Sequence, residues 1–188
     1  KLAKQHPNAV IVIDEAYIDY ADKSASAISL IDDFDNVLVV QTFSKSRALA
    51  GLRVGMAFGN TNLISALNTY KNSFNSYPID RVAQAGAVAS ILDEEYFEQK
   101  RQAVITLRDR LTDDLAGLDF DVLPSAANFV FAKPNHSVLS TQEIFEKLRS
   151  QGVIVRHWNK PRISDYLRIT VGTDEQNARL IQTLKEIL

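Results

Sequence analysis

With 188 residues, 46% of them hydrophobic and 23% charged, and a net charge of −2, the chain has ordinary globular composition. A balance so near neutral argues against a general polyanion-binding surface, which needs clustered Lys and Arg, so no nucleic-acid partner is expected. No run of about 18 apolar residues predicts a membrane span. The absence of cysteine excludes disulfide scaffolds and thiolate metal sites. With no signal-like stretch, the cytoplasm is the default location.

The opening Lys1-Leu-Ala-Lys-Gln-His6 has no initiator Met and reads like the tail of a helix already under way. Ala9-Val-Ile-Val-Ile-Asp14 and Asn36-Val-Leu-Val-Val-Gln-Thr42 are continuous β-branched runs of the kind found in strands covered on both faces of a parallel sheet. Arg53-Val-Gly-Met-Ala-Phe-Gly59 reads as a third strand, its glycines allowing close backbone approach. Between the first two runs, residues 21–35 suit a short helix or loop. Residues 61–72 predict a helix with Thr61 or Asn62 as N-cap. The polar, proline-bearing stretch Asn72-Ser-Phe-Asn-Ser-Tyr-Pro78 predicts a domain boundary or hinge.

Residues 80–117 then read as two helices broken near Asp93, and residues 120–123 and 128–132 as strands. Ser140-Thr-Gln-Glu143 is a capping box opening a helix closed by Gly152. Residues 153–156 and 166–171 are further strands, and Thr173-Asp-Glu-Gln176 caps a final helix to Leu188. Residues 118–188 thus predict a compact α+β unit with a mostly antiparallel sheet.

Ligands of open α/β sheets gather at the carboxyl ends of strands. Two such ends carry unusual chemistry. The first strand runs into Asp14-Glu-Ala-Tyr17, the second into Thr42-Phe-Ser-Lys-Ser-Arg-Ala-Leu-Ala-Gly-Leu-Arg53. A lysine amine forms a Schiff base with an aldehyde, and a carboxylate pairs with a pyridinium nitrogen. Hydroxyls and a planar guanidinium hold a phosphate. These are the requirements of pyridoxal phosphate. Each residue has a plainer reading. Lys45 alone is a solvated loop lysine, Asp14 a cap after a strand, and Tyr17 a half-buried aromatic with a satisfied hydroxyl.

The segments Val12-Ile-Asp-Glu-Ala-Tyr-Ile-Asp-Tyr-Ala21, Thr42 to Gly55 and Leu167-Arg-Ile-Thr-Val-Gly-Thr173 together resemble the histidinol-phosphate aminotransferases, members of the fold-type I, aspartate-aminotransferase-like class. The resemblance runs over essentially the whole chain. It implies an α/β fold: the last part of a large cofactor-binding domain (residues 1–72) followed by an interdomain helix and a small α+β C-terminal domain (residues 73–188). It implies pyridoxal 5'-phosphate as cofactor, with Lys45 as the catalytic Schiff-base lysine. Asp14 would face the ring nitrogen, Tyr17 the ring oxygen, and Ser44 and Arg53 the phosphate, with Thr42 a weaker contact. Arg168 resembles the arginine that grips the substrate's acidic group, and Arg156 a second substrate arginine; the plainer reading of both, weaker for Arg168, is a surface or salt-bridged arginine on a strand.

The implied partners are a phosphorylated amino substrate and the glutamate/2-oxoglutarate pair, in a homodimer. His157 and Trp158 read as loop residues shaping a pocket, His6 and His136 as surface residues. No spacing suits a metal site. In the family a sizeable N-terminal portion precedes the Asp-Glu-Ala-Tyr strand, so the chain is expected to be a piece with little transaminase activity by itself and with uncovered strand edges. Two other readings stay open. One is a threonine-phosphate decarboxylase-like lyase, the other an aminotransferase-like sensing domain of a transcription regulator.

Overall fold

The computed structural model describes every residue except His136 and Ser137, and the side chain of Lys23, so the surface position expected for His136 lies outside the described residues. The chain forms two compact units, residues 1–100 and 101–188.

The first unit opens with a short helix, α1 (Leu2–Gln5), then a three-stranded sheet of β1 (Ile11–Asp14), β2 (Val37–Thr42) and β3 (Gly55–Gly59), with β2 central. β1 and β2 run parallel, pairing Ile11 with Val37 through Asp14 with Val40. β3 turns back antiparallel, pairing Thr42 with Gly55. The segment joining β1 to β2 is not one helix but three 3-10 turns, Ile18–Tyr20, Lys23–Ala25 and Ile28–Ile31.

Only β2 meets the expectation of a strand covered on both faces, with Val37, Leu38 and Val39 buried. β1 lies at the sheet edge, and its alternate side chains are open to solvent, Val12 by 58%. An apolar run there reflects a strand that wants a cover rather than one that has it.

Helix α2 (Thr61–Phe74) starts where the sequence places it, but its cap is Asn60 rather than Thr61 or Asn62, the Asn60 side chain accepting from the Asn62 N–H. Asp80 caps α3 (Arg81–Leu92) through the Ala83 N–H, and Asp93 separates α3 from α4 (Glu94–Ala116), as expected. The compact unit continues past the break at 72–78. Ala83 and Ala87 of α3 pack into one cluster with Phe43 and Val54, which flank the lysine loop. Gly86 makes this approach possible, since a Cβ there would lie 2.7 Å from Leu52 Cδ1.

The second unit is an antiparallel sheet of β4 (Phe120–Leu123), β5 (Phe129–Pro134), β7 (Leu167–Thr170) and β6 (Arg156–His157), in that order. Helices α5 (Thr141–Ser150) and α6 (Asp174–Ile187) and the end of α4 cover one face. Leu111, Leu115, Val130, Ile144, Leu148, Leu167, Ile169 and Leu184 form the core. Each such side chain contributes roughly 1.5–3 kcal/mol by leaving water. Both capping boxes form, Ser140 with Glu143 and Thr173 with Gln176. Gly152 takes φ +78° just after α5, a conformation that favours glycine. The strand expected over 153–156 shrinks to Arg156–His157.

Candidate active site

The parallel pairing of β1 with β2 brings the two chemistry-bearing strand ends side by side, since Asp14 and Val40 are register partners and the Lys45 loop leaves β2 just beyond. Asp14 is exposed, and its Oδ1 accepts from the Ala16 N–H at 2.9 Å. The carboxylate therefore does act as a local cap, and among the described residues its Oδ2 has no protein partner. The turn it caps delivers Tyr17.

Lys45 is half-buried, and its Nζ lies 5.4 Å from the centroid of the Tyr17 ring. A cation over an aromatic face is held electrostatically. Among the described residues the ammonium makes no hydrogen bond or ion pair. The Ser44 hydroxyl is likewise without a partner there, while the Ser44 N–H donates to Thr42 Oγ1 at 3.1 Å. Thr42 thus shapes the loop through its hydroxyl.

Two left-handed residues bound this loop, Ala48 at φ +54° and Arg53 at φ +56°. Arg53 is exposed, and its Nη1 donates to the Ala50 carbonyl at 2.6 Å. Its guanidinium is folded onto the turn that follows Lys45.

Three further groups hold the loop, of which only Ser46 stands out in the sequence, as one more hydroxyl beside Lys45 suited to a phosphate. The Ser46 hydroxyl donates to the Asp19 carboxylate. The Arg47 guanidinium stacks 4.0 Å from the Phe97 ring centroid, and its Nη1 donates to the Ser90 carbonyl near the end of α3, at 2.5 Å. Glu15 is buried between Asp14 and Tyr17, accepting from Ser26, Ala27 and Gln41. Of the other two, only Glu15 had a signal that could have been read. Alternation along β1 puts residues 11, 13 and 15 on one side, the side that the return loop covers.

In the second unit, Arg156 and Arg168 are direct cross-strand partners on β6 and β7. Such pairs share a face with Cβ atoms about 4.5–5.5 Å apart. Arg168 is half-buried, its guanidinium 4.1 Å from the Phe129 ring centroid, while Arg156 is exposed. The same face carries Phe131, stacked on Tyr166 at 4.6 Å. His157 Nε2–H donates to the Ser164 carbonyl at 2.7 Å, which turns the ring to a structural task beside the arginine pair. Trp158 is half-buried next to it. His6 is exposed, as expected.

A mixed α/β sheet with a lysine and a carboxylate at adjacent strand ends, followed by an antiparallel α+β unit, is the arrangement of fold-type I transferases. The chain belongs to the aminotransferase class I and II family, which residues 1–184 match. It is 62% identical to histidinol-phosphate aminotransferase 2 of Psychrobacter arcticus over 194 aligned residues, covering 100% of this chain and 51% of that protein. The crystal structure of histidinol-phosphate aminotransferase from Sinorhizobium meliloti in complex with pyridoxal-5'-phosphate is 25% identical, with TM-score 0.83, covering 95% of this chain and 50% of that one. A decarboxylase from Sulfurospirillum multivorans is 29% identical, with TM-score 0.84, covering 100% of this chain and 55% of that one. The chain spans about half the length of the curated relatives it matches.

Proposed function

We propose that this chain carries the lysine-bearing half of a pyridoxal-phosphate-dependent aminotransferase that exchanges an amino group between histidinol phosphate and 2-oxoglutarate in histidine biosynthesis. The observation that carries the reading is the approach of Lys45 to the Tyr17 ring, beside the parallel strand end that carries Asp14. The donor set there fits the cofactor: the Lys45 ammonium, one oxygen of the Asp14 carboxylate and the Ser44 hydroxyl, none of which has a hydrogen-bond or ion-pair partner among the described residues. Lys45 would anchor the cofactor aldehyde, Asp14 the ring nitrogen and Tyr17 the ring oxygen. Ser44 and Arg53, with Thr42 beside them, would hold the phosphate. Bound there, the cofactor supplies a sink for the electrons left when an α-proton is removed. Lys45, released from its anchoring role, would carry that proton.

Arg156 and Arg168 would bind the acidic group of either substrate, phosphate or carboxylate. Two like charges set directly opposite each other are unfavourable alone and favourable around an anion. The same reading carries a homodimer in the cytoplasm. Its support for association is the apolar surface of the first unit, where Phe74 is 88% and Tyr77 90% exposed. Residues 1–72 would belong to the large domain and 73–188 to the interdomain helix and small domain. By itself the chain would turn over little, since it spans about half of its relatives.

The test has two parts. Given histidinol phosphate and 2-oxoglutarate, the full-length protein should form glutamate and the keto form of the phosphorylated substrate in equal amounts, and Lys45→Ala should abolish transfer. Release of carbon dioxide without glutamate-dependent exchange would sink the transferase reading and favour the lyase one, which the Sulfurospirillum decarboxylase neighbour supports.

A further inference from the structure

The cofactor reading leaves unused the carboxylate that stands between Asp14 and Tyr17. Glu15 is only 6% exposed. It accepts from Ser26 Oγ at 2.9 Å, from the Ala27 N–H at 2.5 Å and from Gln41 Nε2 at 2.9 Å. Its own N–H donates to the Val40 carbonyl at 2.8 Å. A buried carboxylate is tolerated only when donors replace its water, and here they do. Those donors come from separate stretches of chain. Ser26 and Ala27 lie on the return loop after Tyr17, and Gln41 lies on β2 one residue before Thr42 opens the lysine loop. Beyond it, the Ser46 hydroxyl reaches back to Asp19 and closes a second link between the same two stretches.

We infer that Glu15 is a positioning residue of the cofactor site, bracing the turn that carries Asp14 and Tyr17 against the strand end that carries Lys45. The inference rests on the cofactor reading of Lys45. Its chemistry is that of hydrogen-bond geometry rather than charge. A glutamine at position 15 can accept from the Ala27 N–H and donate to Ser26 Oγ or to a turned Gln41 carboxamide, so it keeps the brace. A leucine keeps only the volume and leaves the three donors unmet.

The experiment is site-resolved trapping of pyridoxal phosphate on this chain. The lysine amine condenses with the aldehyde with loss of water, and hydride from borohydride fixes the product as a secondary amine. Digestion and mass spectrometry then give adduct at Lys45 relative to the exposed Lys160 and Lys185. Expected is a preference for Lys45 in the parent sequence that falls about tenfold in Glu15→Leu and in Gln41→Leu, the loss of one hydrogen bond with its buried partner left unmet. Glu15→Gln should stay within about threefold of the parent sequence on the same argument.

Labelling of Glu15→Leu equal to that of the parent sequence would overturn the brace, as would equal loss in Glu15→Gln and Glu15→Leu, which would assign the role to charge. If Glu15→Leu loses its circular-dichroism signal, Gln41→Leu decides, since Ser26 and Ala27 still hold Glu15; undiminished labelling there overturns the inference. No preference for Lys45 in the parent sequence overturns the underlying cofactor reading and the brace with it, whereas a preference that no variant alters defeats the brace alone.

Discussion

Neutralising one member of the arginine pair should stabilise the second unit while removing its affinity for anions. Arg156 and Arg168 face each other across β6 and β7. With charge centres on the order of 6 Å apart, Coulomb repulsion in bulk water is about 0.7 kcal/mol, and about twice that where the effective dielectric is halved. Arg168 is fixed over Phe129 and cannot swing far, so the exposed Arg156 bears most of the adjustment. Arg156→Gln, which removes the charge but keeps the aliphatic base of the side chain and an N–H donor, should therefore raise the unfolding free energy by about 0.5–1 kcal/mol at low salt. The gain should fade as salt approaches about 1 M, where the Debye length is about 3 Å.

The lone tryptophan lies in the same unit, at position 158, so its fluorescence in urea reports this unit's unfolding. Histidinol phosphate at ten times its dissociation constant should stabilise the arginine pair by about 1.4 kcal/mol, and the glutamine variant far less. A variant that is no more stable at low salt, or whose gain ignores salt, would refute the electrostatic reasoning. Equal stabilisation of both proteins by the phosphate ester would refute the assignment of the pair to the substrate.

Other outcomes follow from the packing and caps. Leu184→Ala empties a fully buried position of α6 and should cost about 2.7–5 kcal/mol in the same fluorescence assay. Ser140→Ala removes the α5 cap and should cost about 1 kcal/mol. It should also flatten the acid limb of the stability profile. The Ser140 hydroxyl, then its backbone N–H, hold the Glu143 carboxyl below the usual carboxylate range, so the stabilising charge is present at neutral pH and is lost as pH falls through that lowered value. Urea midpoints measured from neutral pH down into the acid range would show it, and an unchanged acid limb would refute it. Gly152→Ala, forced to keep φ +78°, should cost roughly 1–2 kcal/mol by urea titration.

What the sequence made legible was whatever depends on neighbours along the chain. The β-branched runs, the two capping boxes, the break at Asp93 and the glycine after α5 all express local chemistry, and the elements follow it. The strand-end positions of Asp14 and of the loop that carries Lys45 could likewise be counted along the chain. What stayed hidden depends on packing across the chain. The antiparallel return of β3 leaves no mark in its composition, because an apolar run reads the same in either direction. Nor could the extension of the first unit past Pro78 be read, since it follows from Ala83 and Ala87 meeting Phe43 and Val54. Nothing along the chain marks Arg47, whose place is set by Phe97 and Ser90.

The lysine loop holds an alanine and an arginine at left-handed backbone positions, where glycine would sit without steric cost. Evolutionarily, that is a reserve of easy stability left unclaimed. Ala48→Gly would relieve about 1 kcal/mol of strain in the folded chain, but it would widen the conformations open to the unfolded one and slacken the stretch just behind Lys45. A selection for heat tolerance alone would find that position readily. A selection for turnover would keep the alanine, so the two pressures should pull position 48 in opposite directions in a library screened both ways.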